Sequence, residues 1–297
     1  MSYLGIDWGG TFIKIGLLKK GKVQKKIVFS SRKLIKKQIF LQRLEELKKK
    51  FSSFKAVGIG APGIVDIKKG SIYYLPNVEG WENFPLRRSL EKIFKVPVFV
   101  DNDANLFGLG ELKKGVAQGK KRVIFLTLGT GVGSSVALEG KIVRGENSAF
   151  ELGHVPLILK GRRCSCGSSG CIETFVGAKY LRRKYCHLKG ENVEVVEIFQ
   201  RAKNKEREAL SLWDEVGYYL GRFLAGMINI FNPEMIVLGG GVSGAFSFFK
   251  NSLWKAIKKY TMWPHLKNLK IKKARLKDSA LVGASILAQE SLRKELK

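Results

Sequence analysis

Residues 2–30 alternate apolar and polar positions with the two-residue period of strands. Glycines interrupt this pattern at residues 9–10 and at Gly21, which predicts a strand, a tight turn and two further strands. Residues 31–51 then carry leucines at helical spacing behind Ser31, the residue predicted to cap that helix. The chain therefore begins with a predicted three-stranded meander followed by a helix.

The same order of elements recurs later in the chain. Apolar runs at residues 56–60 and 96–100 predict two buried strands. A further strand at residues 121–128 reaches Gly129-Thr130 and continues directly into another strand, as the first strand does at Gly10-Thr11. This repetition predicts two related lobes that face each other across a cleft.

Helical periodicity dominates the rest of the chain. Residues 206–230 predict a long helix, residues 235–238 a short buried strand, and the residues from Ala280 onward a final helix. We predict a small N-terminal lobe at residues 1–118, joined by the C-terminal helix at 283–297, and a large lobe at residues 119–282.

Two glycine turns after strands are candidate phosphate sites. Gly9, Gly10 and Thr11 follow a strand that carries Asp7. Glycines let backbone N–H groups approach a phosphate, and an acid beside them can hold Mg²⁺ through water. An ordinary β-hairpin turn is the alternative for this motif in isolation. A second turn of the same kind is formed by Gly129, Thr130 and Gly131. It favours phosphate binding, because two such turns on facing lobes can grip a triphosphate.

A third glycine turn, Gly239-Gly240-Gly241, opens a G-x-G-x-x-G pattern after a strand. A dinucleotide site of this kind needs an acidic residue about 20 positions later to bind the ribose. Residues 255–277 contain no Asp or Glu, which argues against NAD. Two interpretations stay open, a turn packed under the adenosine of a nucleotide and a simple strand-to-helix turn.

A loop rich in Gly, Ser and Arg carries a candidate metal site. His154, Cys164, Cys166 and Cys171 form H-x9-C-x-C-x4-C, and three thiolates with an imidazole suit tetrahedral Zn²⁺. Unliganded cysteines are the alternative, and a disulfide is disfavoured in a chain expected to be intracellular. Cys186 lies outside the pattern and is predicted to be a half-buried free thiol.

Acidic residues follow the strand predicted at residues 96–100. Asp103 is a candidate general base, since phosphorylation of an alcohol needs an acceptor for the hydroxyl proton. Asp101 competes for this role, and a helix N-cap is the structural alternative for Asp103. Three further residues are candidates for hydrogen bonds to a polyhydroxylated substrate: Asn102, Glu151 and Glu173. For each of them, a helix cap or a surface salt bridge is the structural alternative.

Composition limits the class of protein. The chain has 297 residues, 45% of them hydrophobic, and no apolar run approaches the ~20 residues of a membrane span. Neither end suggests a signal peptide, so a soluble cytoplasmic protein is expected. A net charge of +29 first suggests nucleic-acid binding, but the 54 Lys and Arg are spread along the chain and match no nucleic-acid motif. A solvated lysine-rich surface is therefore favoured.

The motifs occur in one order over nearly the whole chain. They lie at residues 7–11, 76–81, 100–105, 128–133, 151–154, 164–173 and 236–243. Together they resemble the sugar kinases of the ROK family (repressor, open reading frame, kinase), among which the bacterial-type glucokinases are the most similar.

This resemblance implies an α/β fold of two actin-like, hexokinase-like (ribonuclease H-like) lobes around a central cleft. It implies ATP-dependent phosphorylation of a hexose, most often glucose, at its 6-hydroxyl, with Mg²⁺, structural Zn²⁺ and a homodimer. Asp103 would be the catalytic base, and His154 would serve zinc and sugar at once, so loss of zinc is expected to distort the sugar pocket. Other sugar contacts would come from Gly63, Asn77, Asn102, Glu151 and Glu173. Nucleotide and Mg²⁺ contacts would come from Asp7, Gly9, Gly10, Thr11, Gly129, Thr130, Gly131, Gly239, Gly240 and Gly241.

The sequence departs from the family pattern at several positions. Trp8 replaces an aliphatic residue, Glu79 stands where glucokinases often have proline, and Ser148 and Phe150 stand where relatives commonly have glycines. The bulky Phe150 bears on which sugar is accepted. N-acetylmannosamine, fructose and mannose are therefore alternative substrates.

Other activities compatible with the same family are also open. Polyphosphate is an alternative phosphoryl donor, and a sugar sensor that only binds is another possibility. ROK repressors carry a helix-turn-helix domain before the first phosphate turn. Since this turn begins here at Asp7, no dedicated nucleic-acid domain is expected.

Overall fold

The computed structural model describes residues 1–31, 36–51, 53–75, 78–146 and 148–296. No helix in these ranges is long and apolar enough to cross a membrane. Short 3₁₀ turns lie at Leu152–His154, Gly241–Ala245 and Trp263–Leu266. The other elements, in chain order, are β1 (Ser2–Trp8), β2 (Phe12–Lys19), β3 (Lys22–Ser30), α1 (Lys37–Lys48), β4 (Val57–Ala61), β5 (Ile64–Asp66), β6 (Ser71–Tyr74), α2 (Leu86–Phe94), β7 (Val98–Asn102), α3 (Asp103–Lys114), β8 (Val123–Leu128), β9 (Val132–Leu138), β10 (Lys141–Val143), α4 (Glu173–Val176), α5 (Ala178–Lys189), α6 (Val195–Lys203), α7 (Arg207–Phe231), β11 (Met235–Gly239), α8 (Phe246–Tyr260), β12 (Lys270–Lys273) and α9 (Ser279–Glu295).

Two five-stranded sheets share one topology. The first has the order β3-β2-β1-β4-β7, and the second has the order β10-β9-β8-β11-β12. Each sheet has an antiparallel hairpin at one side, β2–β3 or β9–β10. Parallel strands form the other side, β1, β4 and β7 in the first sheet and β8, β11 and β12 in the second. The repetition predicted from the two Gly-Thr turns is confirmed at the level of strand order.

Contacts divide the chain into two compact units. The first contains Met1–Gly119, Ser135–Phe150 and Ala274–Lys297, and the second contains Lys120–Ser134 and Glu151–Lys273. The chain passes between the units at four places, one of which, between Ser134 and Ser135, falls inside β9. The lobe boundaries at 118/119 and 282/283 stay predictions.

Most predicted elements lie within two residues of the observed ones, but α1 does not. This helix begins at Lys37, and its N-cap residue, Lys36, makes no side-chain capping bond. Ser31, predicted as the cap, instead donates its hydroxyl to the carbonyl oxygen of Gly10 at 2.8 Å. The prediction is wrong because the β2–β3 hairpin carries Ser31 back to the first glycine turn, where tertiary contacts outweigh the local capping signal.

A buried aromatic cluster holds the end of β1 just before that turn. Trp8 stacks on Phe40 of α1 with a centroid distance of 4.3 Å and meets Trp81 edge-on at 4.8 Å. All three side chains are buried. The tryptophan that departs from the family pattern is therefore a core residue, and its large ring fixes the strand that leads into Gly9.

Helices α3 and α9 pack closely through glycines in the first unit. A Cβ on Gly110 of α3 would lie 2.0 Å from the carbonyl oxygen of Ser279. A Cβ on Gly283 of α9 would lie 1.9 Å from the carbonyl oxygen of Leu106. No side chain fits at either position, so backbone contact sets the spacing between these helices.

A buried carboxylate joins α3 to the segment that begins α9. Glu111 is fully buried, and its Oε1 accepts hydrogen bonds from the Ser279 hydroxyl at 2.7 Å and the Leu276 N–H at 2.8 Å. Its Oε2 accepts from the N–H groups of Val116 at 2.8 Å and Arg275 at 3.2 Å. Four donors therefore depend on one side chain that the sequence did not single out.

Replacing Glu111 with Ala is expected to destabilise the protein by roughly 3 kcal/mol or more, because buried donors lose their acceptor. This corresponds to a Tm lower by about 5–10 °C for a chain of this size. Thermal and urea unfolding measure the change. Glu46→Ala, at a half-exposed glutamate of α1, is the control and should change stability by less than about 0.5 kcal/mol. A Glu111→Ala variant as stable as the parent would contradict the prediction.

Candidate functional site

Acidic side chains lie at the carboxyl ends of the parallel strands in the first unit. Asp7 of β1 pairs in register with Gly60 of β4, and Gly60 pairs with Asp101 of β7. The two acids are therefore two strands apart, or about 10 Å across the sheet. Ligands of open α/β sheets bind at this edge, beyond the carboxyl ends of the strands.

Asp101 is committed to structural bonds. It is fully buried, and its Oδ2 accepts from Arg144 Nη2 at 2.6 Å and Nε at 2.9 Å. Its Oδ1 accepts from the backbone N–H of Asn102 and from Asn105 Nδ2, each at 2.8 Å. Both oxygens are used, so Asp101 anchors the end of β7 and is poorly placed to take a proton from a substrate.

Asn102 and Asp103 form the start of α3. Asn102 is the N-cap, since its Oδ1 accepts from the N–H groups of Ala104 at 2.8 Å and Asn105 at 3.3 Å. Its Nδ2 donates to the carbonyl oxygen of Gly63 at 3.0 Å. Asp103, the first residue of the helix, is half-buried, and its Oδ1 accepts from the Ala104 N–H at 2.8 Å. The capping role considered for Asp103 therefore belongs to Asn102.

Ser148 and Phe150, two departures from the family pattern, are also among the described residues. The Ser148 hydroxyl accepts from the Val65 N–H of β5 at 3.3 Å, which ties Ser148 to the strand after Gly63. Phe150 is half-buried. Asn77, the remaining sugar-contact candidate of the first unit, lies outside the described residues.

The acid of the first glycine turn has a lysine partner. Lys14 Nζ lies 3.2 Å from Asp7 Oδ2 and 3.6 Å from Asp278 Oδ1, and Asp278 also binds Lys26 at 2.7 Å. Burial raises the pKa of the Asp7 carboxyl, Lys14 opposes this shift, and Asp278 adds slightly to it. Desolvation is the larger effect, so Asp7 is a carboxylate that gains from a further cation beside it.

In the second unit, two glycine turns share one sheet edge. Gly239 of β11 pairs with Thr127 of β8, so both strands end at the same level. Gly129 donates its N–H to the Gly131 carbonyl oxygen at 2.9 Å, which closes the first of these turns. Gly240 has a φ of +79°, and a Cβ there would lie 2.3 Å from the carbonyl oxygen of Leu128. Only glycine fits at this position, and the two turns are in contact.

The four predicted metal ligands come together in the second unit. The ligand atoms of His154, Cys164, Cys166 and Cys171 all lie within 4.8 Å of one another. Two further glycines shape this loop, with φ of +92° at Gly167 and +74° at Gly170. The sequence-predicted cluster is therefore assembled by a short loop whose turns need glycine.

Distances in this cluster match a tetrahedral cation. The Cys166 and Cys171 sulfurs are 3.7 Å apart, and Cys164 Sγ lies 3.5 Å from His154 Nδ1. Zinc–ligand bonds at tetrahedral angles place two sulfurs about 3.8 Å apart and a sulfur about 3.5 Å from a nitrogen. Burial, together with the neighbouring thiols, raises the pKa of Cys171 to about 12. A cation would reverse that shift by stabilising the thiolates. The donor set fits Zn²⁺.

The sugar-contact candidates of the second unit surround this cluster. Desolvation raises the pKa of Glu151, nearby Glu173 acts in the same direction, and His154 opposes it. With Nδ1 of His154 facing Cys164, its Nε2 is left for another partner. Glu173 is the first residue of α4, directly after Cys171-Ile172. Glu151, His154 and Glu173 therefore lie close together, and His154 links the two carboxylates to the cysteines.

Three residues that hold candidate site residues in place belong to none of the sequence motifs. Ser31 holds the carbonyl of Gly10, Lys14 pairs with Asp7, and Arg144 holds Asp101. Lys14 lies directly opposite Asp7 in the β1–β2 pairing. The pairing of β1 with β2 was therefore a signal from which the contact of Lys14 with Asp7 could have been predicted. The contacts of Ser31 and Arg144 depend on the tertiary structure.

The repeated sheets, the glycine turns and the histidine–cysteine loop define a class of protein. A sequence model of the ROK family matches residues 3–291, so the chain belongs to this family. A glucokinase of Halalkalibacterium halodurans is 38% identical over 283 residues, which cover 87% of this chain and 84% of the relative. A xylose repressor of Caldicellulosiruptor bescii is 33% identical over 240 residues, which cover 76% of this chain and 60% of the repressor.

A solved structure supports the same grouping. A ROK family glucokinase from Streptomyces griseus, in complex with glucose and AMPPNP, is similar with a TM-score of 0.87 and 27% sequence identity. The similarity covers 98% of this chain and 100% of that chain. The predicted fold class, an α/β fold with two actin-like and hexokinase-like lobes, is confirmed.

Proposed function

We propose that this chain transfers the γ-phosphoryl group of ATP to the 6-hydroxyl of a hexose, with glucose as the first candidate. One observation carries the proposal: Asp101 is locked by Arg144 and two amides, while Asp103 lies two residues later at the sheet edge. The similarity to a glucokinase, and to a glucokinase structure with glucose and AMPPNP, supports the substrate and the donor.

Asp103 would act as the general base. As the sugar oxygen bonds to the γ-phosphorus, its hydroxyl proton passes to the Asp103 carboxylate and ADP leaves. Asn102 would present its second amide hydrogen to the sugar while the first holds Gly63. The other hydroxyls would be bound by the remaining sugar-contact candidates, Gly63, Asn77, Glu151, His154 and Glu173.

The glycine turns would bind the nucleotide. Phosphates would contact the backbone N–H groups and hydroxyls of two glycine turns, Gly9, Gly10 and Thr11 in one and Gly129, Thr130 and Gly131 in the other. The adenosine would lie beside a third glycine turn, Gly239, Gly240 and Gly241. Gly240 packs tightly against Leu128 and has no side chain that would obstruct the adenosine. Mg²⁺ would stand near Asp7 and neutralise charge on the transferring phosphate.

Zinc would have a structural role. The metal would bind Nδ1 of His154 and the sulfurs of Cys164, Cys166 and Cys171, which leaves Nε2 of His154 to hydrogen-bond the sugar. Zn²⁺ supplies cross-linking of a loop that has little apolar core of its own. Its loss is expected to disturb the neighbouring carboxylates Glu151 and Glu173.

Asp7→Asn is expected to leave the Tm unchanged or slightly higher at neutral pH. Because the folded-state pKa of Asp7 is raised, the ionised carboxyl opposes folding at neutral pH. This penalty begins to shrink as the pH falls through the folded-state pKa and is gone below the unfolded-state pKa. The stability difference between variant and parent should therefore shrink in acid. Thermal unfolding at neutral pH and near pH 4 measures it.

The same Asp7→Asn variant should need more Mg²⁺ for nucleotide binding, which calorimetric titration of AMPPNP at increasing Mg²⁺ detects. Asp66→Asn, at an acid outside the proposed site, is the control. A variant that is several degrees less stable at neutral pH, or one with unchanged Mg²⁺ dependence, would contradict the assignment of Asp7.

The activity is tested by ADP release in a coupled assay with ATP and Mg²⁺, on protein of known zinc content. Glucose, mannose, fructose, N-acetylmannosamine and N-acetylglucosamine are compared as acceptors. Phosphorylation of glucose supports the proposal, and a preference for another sugar identifies Phe150 as a residue to replace by glycine. Absence of activity on all of them, with zinc bound, would overturn it.

Polyphosphate is the alternative donor, favoured by the net charge of +29. Rates with ATP and with polyphosphate at low and moderate salt distinguish the two donors, because salt screens attraction to a basic protein. We expect ATP to be preferred at both salt concentrations, since the Gly239–Gly241 turn would lie beside the adenosine, a group that polyphosphate lacks.

A sugar-responsive regulator is the second candidate function. The match to a xylose repressor and the basic charge favour it. Tight binding to an operator, without sugar-dependent ADP release, would support this function over the kinase. A homodimer, which the family resemblance implies, is tested by light scattering on the purified protein.

A further inference from the structure

The segment that follows Cys171, the last cysteine of the cluster, holds the Gly129–Gly131 turn. Glu173 Oε2 accepts a hydrogen bond from the Val132 N–H at 2.9 Å, just after the turn. The Ala178 N–H donates to the carbonyl oxygen of Gly129 at 2.8 Å, at the start of the turn. Residues 173–178 therefore bind the Gly129–Gly131 turn at both of its ends.

The Glu173 carboxylate is also in close contact with Gly131, the last residue of this turn. A Cβ on Gly131 would lie 2.2 Å from Glu173 Oε2. The carboxylate thus occupies the space that any side chain at residue 131 would need. Gly131 is required here for close approach, and a shift of Glu173 must move the turn or open a gap beside it.

The other carboxylate oxygen faces the metal cluster. Ser165, between two of the cysteines, donates its hydroxyl to Glu173 Oε1 at 3.4 Å, and Cys164 Sγ lies 3.9 Å from the same oxygen. Thr174 binds the carbonyl oxygen of Cys171 through its N–H at 2.9 Å and its hydroxyl at 2.8 Å. The cysteine loop and the glycine turn are therefore joined through one side chain and one short helix.

We propose that Glu173 is a positioning residue for the nucleotide phosphates, and that metal occupancy of the cysteine cluster sets the affinity of the Gly129–Gly131 turn for a nucleoside triphosphate. The inference rests on the proposed function, which assigns this turn to phosphate. It extends the role of zinc from the sugar pocket to the nucleotide. A carboxylate has about four lone-pair sites, so Glu173 can hold the turn and still accept a sugar hydroxyl.

Nucleotide affinity measured without sugar tests the inference, because a residue that contacts only sugar cannot change it. Calorimetry with AMPPNP and Mg²⁺ is performed on the zinc-loaded protein. Glu173→Ala should weaken binding by about fivefold to tenfold, the size of a lost hydrogen bond. Glu173→Gln keeps an oxygen for Val132 and should stay within about twofold of the parent.

The two variants also separate positioning from charge. If the negative charge of Glu173 simply repelled phosphate, both variants would bind AMPPNP more tightly than the parent, and the inference would be wrong. Glu208→Ala, at a half-buried glutamate of α7, is the control for general effects of removing a carboxylate.

Coupling to the metal is tested by removing zinc with a chelator. Zinc removal should weaken AMPPNP binding by the parent about as much as Glu173→Ala does, and should have little further effect in Glu173→Ala, since both changes break the same link. If zinc removal weakened AMPPNP binding in Glu173→Ala by the same factor as in the parent, the coupling would be refuted.

Ser165→Ala provides a version of this test that keeps every metal ligand. It breaks the Ser165–Glu173 contact and should weaken AMPPNP binding by about twofold to fivefold with unchanged zinc content. Unchanged affinity in this variant and in Glu173→Ala would refute the inference, and so would a parent that does not bind AMPPNP. Zinc-dependent AMPPNP binding without phosphorylation of any hexose would leave the inference standing and reject the proposed function.

Discussion

Asp103→Asn is expected to lower kcat for hexose phosphorylation by about 10² to 10⁴, while the sugar affinity changes only a few-fold. The amide has nearly the same shape as the carboxylate and still accepts the Ala104 N–H, so the start of α3 should be preserved. It cannot take the hydroxyl proton. The loss should therefore appear in kcat and not in stability.

Steady-state kinetics with glucose, together with calorimetric glucose binding and thermal unfolding, measure these quantities. Asp214→Asn, at an exposed residue of α7, is the control and should match the parent. Asp101→Asn should behave differently and lower the Tm, because it removes a buried charge from Arg144. An Asp103→Asn enzyme as fast as the parent would show that the proton goes elsewhere.

Cys171→Ser is expected to abolish stoichiometric zinc binding and to lower the Tm by roughly 10 °C, since structural zinc contributes several kilocalories per mole. Cys171 is fully buried, and its thiol donates to the His154 carbonyl oxygen at 3.2 Å, so a serine there has neither the reach nor the softness for the metal. Sugar phosphorylation should fall as well, because His154 belongs to the cluster and Glu173 lies beside it.

Cys186→Ser is the matched control, because Cys186 is a half-buried thiol on α5 outside the cluster. It should keep full zinc content, parental Tm and parental activity. Metal analysis by mass spectrometry and thermal unfolding distinguish the two variants. Cys171→Ser protein that retains zinc and parental stability would refute the assignment of this cluster.

Local patterns predicted much of this protein. The strands beside both Gly-Thr turns and the long helix α7 were predictable because alternation, helical periodicity and glycines are properties of neighbouring residues. The cluster of His154 with three cysteines was predictable for the same reason. His154 and Cys171 are close enough along the chain that a glycine-rich loop alone can bring their side chains together.

The choice between Asp101 and Asp103 needed the tertiary structure. Both acids follow the same strand, and no local rule separates them. Arg144, distant along the chain, binds Asp101 and thereby leaves Asp103 as the better candidate for the base. The contact between Arg144 and Asp101 depends on tertiary packing, which the periodicity of the sequence does not describe.

The sequence by itself determined most of the elements, the glycine turns and the grouping of one histidine with three cysteines, since these depend on short-range spacing. Only the tertiary structure decided that Ser31 holds Gly10, that Lys14 joins Asp7 to Asp278, and that Glu173 joins the cysteine loop to the second glycine turn. The physical reason is the same in each case. Partners distant along the chain meet only when strand register and helix packing bring them within hydrogen-bonding distance.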